Sequence, residues 1–462
     1  MTTMDADRRE AAAARARAAA ARLRDEGVHG VLLSYVDNAG VSRVKAVPVD
    51  GLPYAAAWGV GMSPVFDVFG VDDSITAGEL AGGPVGDLRL HPDLDRLTRL
   101  AGQPGWAWAP VDRYTQDGTV HPGCQRSFAR RIAAQARETG LDVRMGFEVE
   151  WVVGHEDEDG RLVPACTGPA YGLTRMVELS DYCREVLTAL AGQSVDVLQI
   201  HPEYAAGQFE LSVAPSDPVG AADTMVLVRE TVRAVSQRHG MGASFGPSVV
   251  AGTVGNGGHL HLSLRRDGGN LLAGGSGPHG MTTAGESFLA GLLDALPALV
   301  GVGAPSVASY LRLVPSHWAG AYQCWGVENR EAALRVITGP AGQQEQVANA
   351  ELKCFDASAN PYLVVGAVLA VGLASMEQGL RLPDEVVGDP ALLPDGELER
   401  LGVTRLPQSA EEALSHLEKN AVLRSAMGDL LYDAFVAVRR AEIAMFAGRT
   451  PEEVVAATRW RY

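Results

Sequence analysis

The chain lacks paired cysteines: its five (Cys124, Cys166, Cys183, Cys324, Cys354) are scattered, odd in number and never spaced Cys-x-x-Cys. That pattern supplies no zinc framework and suits a reducing, cytoplasmic setting. Basic charge is scarce, with 39 Lys+Arg against 56 Asp+Glu and a net charge of −17. Such a balance argues against nucleic acid or an anionic membrane as partner. Long apolar runs are missing too. The longest, residues 361–376, opens with proline, includes two glycines and falls short of the roughly 20 residues that span a bilayer, so it predicts a buried helix. The Ala-rich start, residues 5–27, carries Arg and acidic residues throughout and has no apolar core of a secretory signal. It predicts an exposed or subunit-packing helix ending near Gly27. The Gly-rich stretch 268–280 is followed by no Gly-Lys-Ser/Thr, which excludes a P-loop.

A length of 462 residues at 47% hydrophobic composition leaves room for two domains. A Gly-, Pro- and Asp-rich stretch at 103–123 predicts a boundary, set between residues 117 and 118, with a helix beginning near Arg126. Residues 1–117 then form an N-terminal helix-and-strand domain, and 118–462 a larger one in which helices and strands alternate. A second Pro/Gly-rich connection at 383–408 precedes one long C-terminal helix expected from about 410 to 446.

Residues able to do chemistry fall in four clusters. In Met145-Gly146-Phe147-Glu148-Val149-Glu150-Trp151 two carboxylates interrupt an apolar, β-prone run, and the two-residue period of a strand points both to one face. Carboxylates so placed share a proton or share cations, unless the strand is an edge with a wet, charged face. In the second cluster, from His201 to Leu211, Glu203 and Glu210 flank a small-residue turn that a hairpin or bulge would bring to one point. The third, Gly255-Asn256-Gly257-Gly258-His259-Leu260-His261-Leu262-Ser263, sets two same-facing imidazoles beside backbone that a ligand can approach closely. The fourth, Ala350-Glu351-Leu352-Lys353-Cys354, adds a carboxylate in strand-like alternation. Between the last two lie Arg312, Arg330 and Arg335. Carboxylates for divalent metals, with guanidinium groups forking onto the same oxygens, are what phosphoryl transfer requires.

In this order and spacing the chain resembles the glutamine synthetase family, specifically the bacterial type I branch and its γ-glutamyl-amine ligase relatives, over nearly its whole length from Asp37 onward. The resemblance implies an α+β fold: an N-terminal β-grasp domain and a large C-terminal catalytic α/β domain with a curved antiparallel sheet. It also implies a homododecamer of two stacked hexameric rings with active sites between subunits. Glu150, Glu203 and Glu210 match ligands of the metal that organises the glutamate and amine sites, and Glu148, His259 and Glu351 those of the metal on the nucleotide phosphates. His261 and Ser263 match nucleotide-side positions and Gly255 a backbone contact to glutamate. Arg312 matches the arginine that grips the glutamate α-carboxylate, and Arg330 and Arg335 those that neutralise the transferring phosphoryl group. The implied reaction uses ATP and two or three Mg2+ or Mn2+ ions per site.

The departures from the family pattern concern the acceptor. In glutamine synthetases the segment after the matching arginine ends in a glutamate that takes the proton from ammonium; here Arg312-Leu313-Val314-Pro315-Ser316-His317-Trp318 ends in tryptophan. Trp318 cannot be a base, but it can pack an alkyl group and favour a cation over its face. The expected acceptor is therefore a primary amine larger than ammonia, with ethanolamine first and polyamines next, and His317 is the candidate substitute base. Spacing favours Asp73 as the amine-site aspartate, with Asp67 its rival. Lys353 stands where a second arginine is common in the substrate site, and Val254 where an asparagine is usual. The segment 401–407 lacks the tyrosine that is adenylylated in many type I enzymes. The alternatives are an ammonia-using glutamine synthetase and a catalytically silent nitrogen-regulatory homologue.

Overall fold

A computed structural model of the chain describes residues 3–462. The Ala-rich start forms the helix Ala6–Asp25, begun by Asp5, whose carboxylate accepts the Arg8 N–H at 3.0 Å. Its Ala16, Ala20 and Leu23 are buried in a core shared with β1 (Gly30–Val36), β2 (Ser42–Pro48), β3 (Val60–Met62), β4 (Leu88–Pro92), β5 (Thr98–Arg99) and β6 (Trp106–Tyr114). The strands run in the order β2-β1-β6-β4-β3, with β5 beside β6; β1 and β2 form an antiparallel hairpin, and β6 lies parallel to β1. This is the β-grasp arrangement. The 103–123 stretch, read from composition as a linker, thus contains a central strand, because Ala107, Trp108, Ala109 and Val111 are buried despite the surrounding Gly and Pro. The 117/118 division falls in the connection between β6 and the helix Gln125–Glu138.

The second sheet contains β7 (Asp142–Glu156), β8 (Leu162–Pro164), β9 (Val197–Pro202), β10 (Gln208–Val213), β11 (Gly242–Ser244), β12 (Gly258–Arg266), β13 (Gly269–Asn270), β14 (Tyr322–Val327), β15 (Ala332–Ile337), β16 (Asn349–Leu352) and β17 (Thr404–Arg405). Its order is β17-β14-β15-β16-β12-β7-β10-β9, antiparallel except for the β14–β15 pair. In β7, Val143, Met145, Phe147, Val149, Trp151 and Val153 are all buried, and the helices Gln125–Glu138 and Pro218–Arg238 pack on the strand. Trp151 satisfies its indole N–H on the Tyr182 hydroxyl at 3.0 Å. That apolar face leaves the even-numbered positions to the other side. The helices Thr283–Gly303 and Pro361–Gln378 are long and apolar enough to cross a membrane, but 83% and 72% of their apolar windows are buried inside the fold. The single C-terminal helix expected from 410 to 446 is instead three: Ala410–Lys419, Ala421–Met427 and Asp429–Phe446. Asn420, extended at ψ 99°, caps the second with its side chain, and Gly428 at φ 79°, ψ 159° breaks the chain again.

The two sheets are clamped at the β1–β2 turn. Asn360 donates to the carbonyls of Val36 and Asp37 at 2.9 and 3.1 Å, and Arg439 to that of Asn38 at 2.9 Å. At Gly40, φ +84°, a Cβ would sit 1.9 Å from the Ser358 carbonyl, so only glycine allows this approach. The same junction separates the two rival aspartates. Asp67 is buried with Arg113 on one oxygen and His121 Nε2 on the other at 2.7 Å. Asp73 is exposed, at φ 68°, and pairs with Arg43 at 2.6 Å and Arg461 at 3.3 Å. Asp67→Ala leaves the Arg113 charge buried without its partner and is expected to cost about 3–5 kcal/mol. Asp73→Ala is expected to stay within about 0.5 kcal/mol; thermal and urea unfolding of both variants checks the contrast.

Candidate active site

Strand register gathers the four sequence clusters on one sheet face. Glu210 stands opposite Glu150, and Ser212 opposite Glu148, across β10–β7. His259 stands opposite Glu148 across β12–β7, His261 opposite Glu351 across β12–β16, and Arg335 opposite Glu351 across β15–β16. Directly opposed residues of an antiparallel pair share a face, so Glu148, Glu150, Glu210, His259, His261, Glu351 and Arg335 form one continuous row. Ser263, two residues beyond His261 on β12, continues it. Glu203 joins from the β9–β10 turn, where His201 lies 3.3 Å from Glu203 and 3.2 Å from Glu210.

The side chains are close and mostly buried. His259 Nδ1 lies 3.3 Å from both Glu148 and Glu351, and its Nε2 is 3.6 Å from Glu150. Arg312 donates to the same Nε2 at 3.1 Å, which requires that nitrogen to be unprotonated. In agreement, burial and the Lys353 charge push His259 down to about 4. His261 goes the other way, because Glu148 and Glu351 outweigh its burial and lift it to about 9. His201 is held up to about 9 chiefly by its hydrogen bond to Glu210. Burial, then the facing Glu210, drives Glu150 far above the ordinary carboxylate range. Burial raises Glu203 and Glu210 as well. At the other end Glu351, wholly buried, is held ionised against that burial by Lys353 and His261. Lys353 Nζ reaches it at 3.2 Å and Arg335 Nη1 at 3.1 Å.

Not every expected residue joins this row. Arg312 is buried, donating to the Lys353 carbonyl at 3.0 Å, and packs against Gly255, where a Cβ would meet its side chain at 3.1 Å. The Gly255 carbonyl accepts from Gln208 at 3.0 Å. Arg330 is exposed between β14 and β15, and none of the ion pairs among the described residues ties it to the carboxylates. His317 is half-buried, with its Nδ1 lacking a partner. Trp318, 45% exposed, sets its ring 5.3 Å from that of Tyr204, tilted by 58°. Asp73 lies away from this row, paired among the described residues with Arg43 and Arg461.

Three contributors were not singled out from sequence. Gln208, wholly buried, donates to Glu150, Gly255 and Asn256 at 2.9–3.0 Å. Its spacing two residues before Glu210 on an alternating strand was the available signal. Asn256 fixes the glycine loop by donating to the carbonyls of Ser244 and Gly246. Tyr171 sits beside Glu203, donating its backbone N–H to the Glu203 carbonyl at 3.5 Å, a contact between segments that no local spacing reveals.

The row fits divalent cations. Three groups of donor atoms lie within 4.8 Å of one another: Glu148, Glu210 and His259; Glu148, His261 and Glu351; His201, Glu203 and Glu210. These groupings differ from the two triads implied by resemblance, since Glu150 is engaged by Gln208 and Glu148 serves both ends. A Cβ at Gly257 would stand 2.2 Å from His259 Nε2 and 2.8 Å from Glu150, so glycine keeps the space between them open. Oxygen-rich donors with imidazole suit Mg2+ or Mn2+. Because the folded-state pKa of Glu150 lies above its ordinary value of 4.5, its destabilising effect is absent at low pH and grows as pH rises through the folded value. Glu150→Gln is therefore expected to raise the unfolding temperature of metal-free protein, more at about pH 8 than at about pH 6. It should also lose most of the further rise that Mn2+ or Mg2+ gives the unaltered protein, as read by thermal unfolding.

Residues 122–456 match the glutamine synthetase catalytic domain family. The chain is 56% identical over 450 residues, 97% of each protein, to the gamma-glutamylpolyamine synthetase GlnA3 of Streptomyces coelicolor. It is 30% identical over 425 residues to a glutamine synthetase of Clostridium saccharobutylicum, covering 91% of this chain and 93% of that one. A crystal structure of a novel glutamine synthase homolog superimposes with a TM-score of 0.84 at 31% identity, over 94% of this chain and 99% of the other. A GmaS/ADP complex does so with 0.81 at 27%, over 93% and 96%. With the carboxylate row built on the same fold, the chain belongs to the glutamine synthetase family and is an ATP-dependent carboxylate–amine ligase.

Proposed function

We propose that the protein joins the γ-carboxylate of glutamate to a polyamine, through γ-glutamyl phosphate formed at the expense of ATP. The observation that carries the choice of acceptor is the 56% identity, over 97% of both chains, to a protein named gamma-glutamylpolyamine synthetase. Polyamines therefore replace ethanolamine at the head of the expected order. The aromatic pair of Tyr204 and Trp318 supports an alkylamine over ammonia, since it offers an apolar wall and π-faces and no carboxylate at position 318.

A carboxylate does not react with an amine unaided, so the γ-carboxylate first takes the terminal phosphoryl group of ATP. Held by Glu148, Glu150, Glu203, Glu210, His259 and Glu351, two or three Mg2+ or Mn2+ ions would draw charge from the phosphates. Arg335, anchored on Glu351 at 3.1 Å and Glu328 at 2.9 Å, presents its guanidinium at the phosphate end. Arg330, exposed in this chain, would swing in with nucleotide. Arg312 and the Gly255 backbone hold the glutamate α-carboxylate, and Lys353 shields Glu351 from it. His261 and Ser263 line the nucleotide side. The incoming amine must lose a proton before it attacks, for which His317 and the buried carboxylates at the acceptor end are the available acceptors. Asp73, facing outward, would serve a neighbouring subunit in the proposed cytoplasmic dodecamer of two hexameric rings, whose closed sites keep water from the acyl phosphate.

The test is phosphate release with ATP, glutamate and Mg2+ or Mn2+ across ammonium, ethanolamine, putrescine, spermidine and alkylamines, with product mass. The expected result is highest kcat/KM with a polyamine and formation of its γ-glutamyl amide, with ammonium at least about tenfold lower. Trp318→Glu is expected to shift preference toward ammonium. Ammonium as best acceptor of the unaltered protein would overturn the reading in favour of glutamine synthetase, and ethanolamine as best acceptor would restore the order read from sequence.

A further inference from the structure

The acceptor end of the site contains a second acidic element that the metal row does not use. Glu331 is only 7% exposed, and no Lys, Arg or His forms an ion pair with it among the described residues. Its Oε1 accepts the Trp318 N–H at 2.8 Å, while its Oε2 is buried without any hydrogen-bond partner. An ionised oxygen left unsatisfied in the interior is costly, and buried carboxylates ordinarily carry a cation or a donor. Lys353, whose charge acts on Glu331 from a distance, is committed to Glu351 at 3.2 Å.

Three further features surround Glu331. Its own position is fixed, since its N–H donates to Asn329 Oδ1 at 3.0 Å, and Asn329 in turn grips the carbonyls of Val386 and Gly388 at 2.9 Å. Asp389, one residue beyond, accepts the Ser316 hydroxyl at 2.8 Å and likewise has no cationic partner among the described residues. Asp389 holds the Ser316 hydroxyl and Glu331 the Trp318 N–H, so the two acids flank the 316–318 loop; burial and then, among charges, Asp389 raise the Glu331 pKa. On the other side, the Tyr204 N–H donates to Glu203 Oε2 at 3.1 Å, and the Tyr204 ring meets that of Trp318 at 5.3 Å. The sequence Glu203, Tyr204, Trp318, Glu331 is thus one continuous wall running from the carboxylate row to the unpaired acid.

We propose that Glu331 and Asp389 form an anionic subsite for the non-reacting ammonium of a di- or polyamine, whose alkyl chain lies along the Tyr204–Trp318 pair. The inference rests on the polyamine reading and specifies how that acceptor is recognised. A polyamine that reacts through one neutral nitrogen keeps positive charge on the others. That charge needs a carboxylate when it is drawn off water, and an aromatic wall suits both the methylenes and the cation. Ammonia and short monoamines have nothing to place there, so the subsite acts on choice of acceptor.

The experiment compares 1,4-diaminobutane with n-butylamine, which match in length and differ by one ammonium group, in ATP- and glutamate-dependent phosphate release with product mass. Glu331→Gln is expected to lower the diamine-to-monoamine ratio of kcat/KM about tenfold, mainly through KM for the diamine, as loss of a charged hydrogen-bonding partner predicts. Asp389→Asn is expected to lower the same ratio about threefold. A parallel loss with both amines would assign Glu331 to holding the Trp318 loop alone and overturn the proposal, as would an unchanged ratio in the Gln variant. If Glu331→Gln does not fold, Asp389→Asn decides, and a ratio equal to that of the unaltered protein overturns the subsite. An unaltered enzyme that ligates polyamines while neither variant moves the ratio refutes the subsite and leaves the polyamine reading standing. An unaltered enzyme that uses no polyamine refutes both.

Discussion

Everything in this structure answers to one constraint: several carboxylates are fixed on one face of a sheet within a few ångströms of each other. Glu148 and Glu150 are two residues apart on β7, and register adds Glu210 on one side and Glu351 by way of β12 on the other. Like charges so close, in a poorly hydrated setting, repel strongly enough that the row is unfavourable by itself. Two features offset this. The opposite face of the same strands is wholly apolar, with Trp151, Phe209, Leu211 and Leu260 buried against helices, so hydrophobic burial holds the strands in register. His261 and His201, both held protonated by the neighbouring carboxylates, and the cations the row is suited to bind neutralise the remainder.

Much of this was readable in sequence because strands impose a strict period. The alternation around Glu148 and Glu150, the His259–His261 pair and the turn between Glu203 and Glu210 each carry their geometry locally. Register between distant strands does not, which is why the donor groups fall out differently from the two implied triads and why Gln208 and Tyr171 were passed over. Composition misled at two places. The Gly- and Pro-rich stretch at 103–123 encloses β6, whose buried residues pair with β1, and tertiary pairing overrides local turn signals there. The helical periodicity across 410–446 conceals Asn420 and Gly428, single residues whose backbone conformation splits the helix. Glu331 carried no signal at all, because its meaning depends on which backbone N–H it meets and on what fails to pair with it.

The choice between Asp67 and Asp73 shows how burial assigns roles that spacing leaves open. Asp67 is consumed by Arg113 and His121 inside the junction and has no oxygen to spare for a ligand. Asp73 is held outward by Arg43 and Arg461 in a left-handed loop. The nearby clamp of Gly40 on Ser358, with Asn360 on Val36 and Asp37, fixes the β-grasp sheet against the large one.

Charge is graded along the site, and the gradient has a chemical sense. At the Glu351 end, Arg335 and Lys353 pair with the Glu351 carboxylate and Arg312 lies beside them on the Lys353 carbonyl, basic groups suited to phosphate and to an α-carboxylate. At the Glu203 end, the acids are met by His201 and the aromatic pair, and beyond them Glu331 and Asp389 have no basic partner among the described residues. An anionic donor and a cationic acceptor entering one site would be drawn to opposite ends by such a field. With Trp318 in place of a carboxylate, negative charge at the acceptor end is displaced from the loop tip to the wall behind it. On the proposed polyamine reading, a larger, multiply charged amine would reach that wall where ammonia would not.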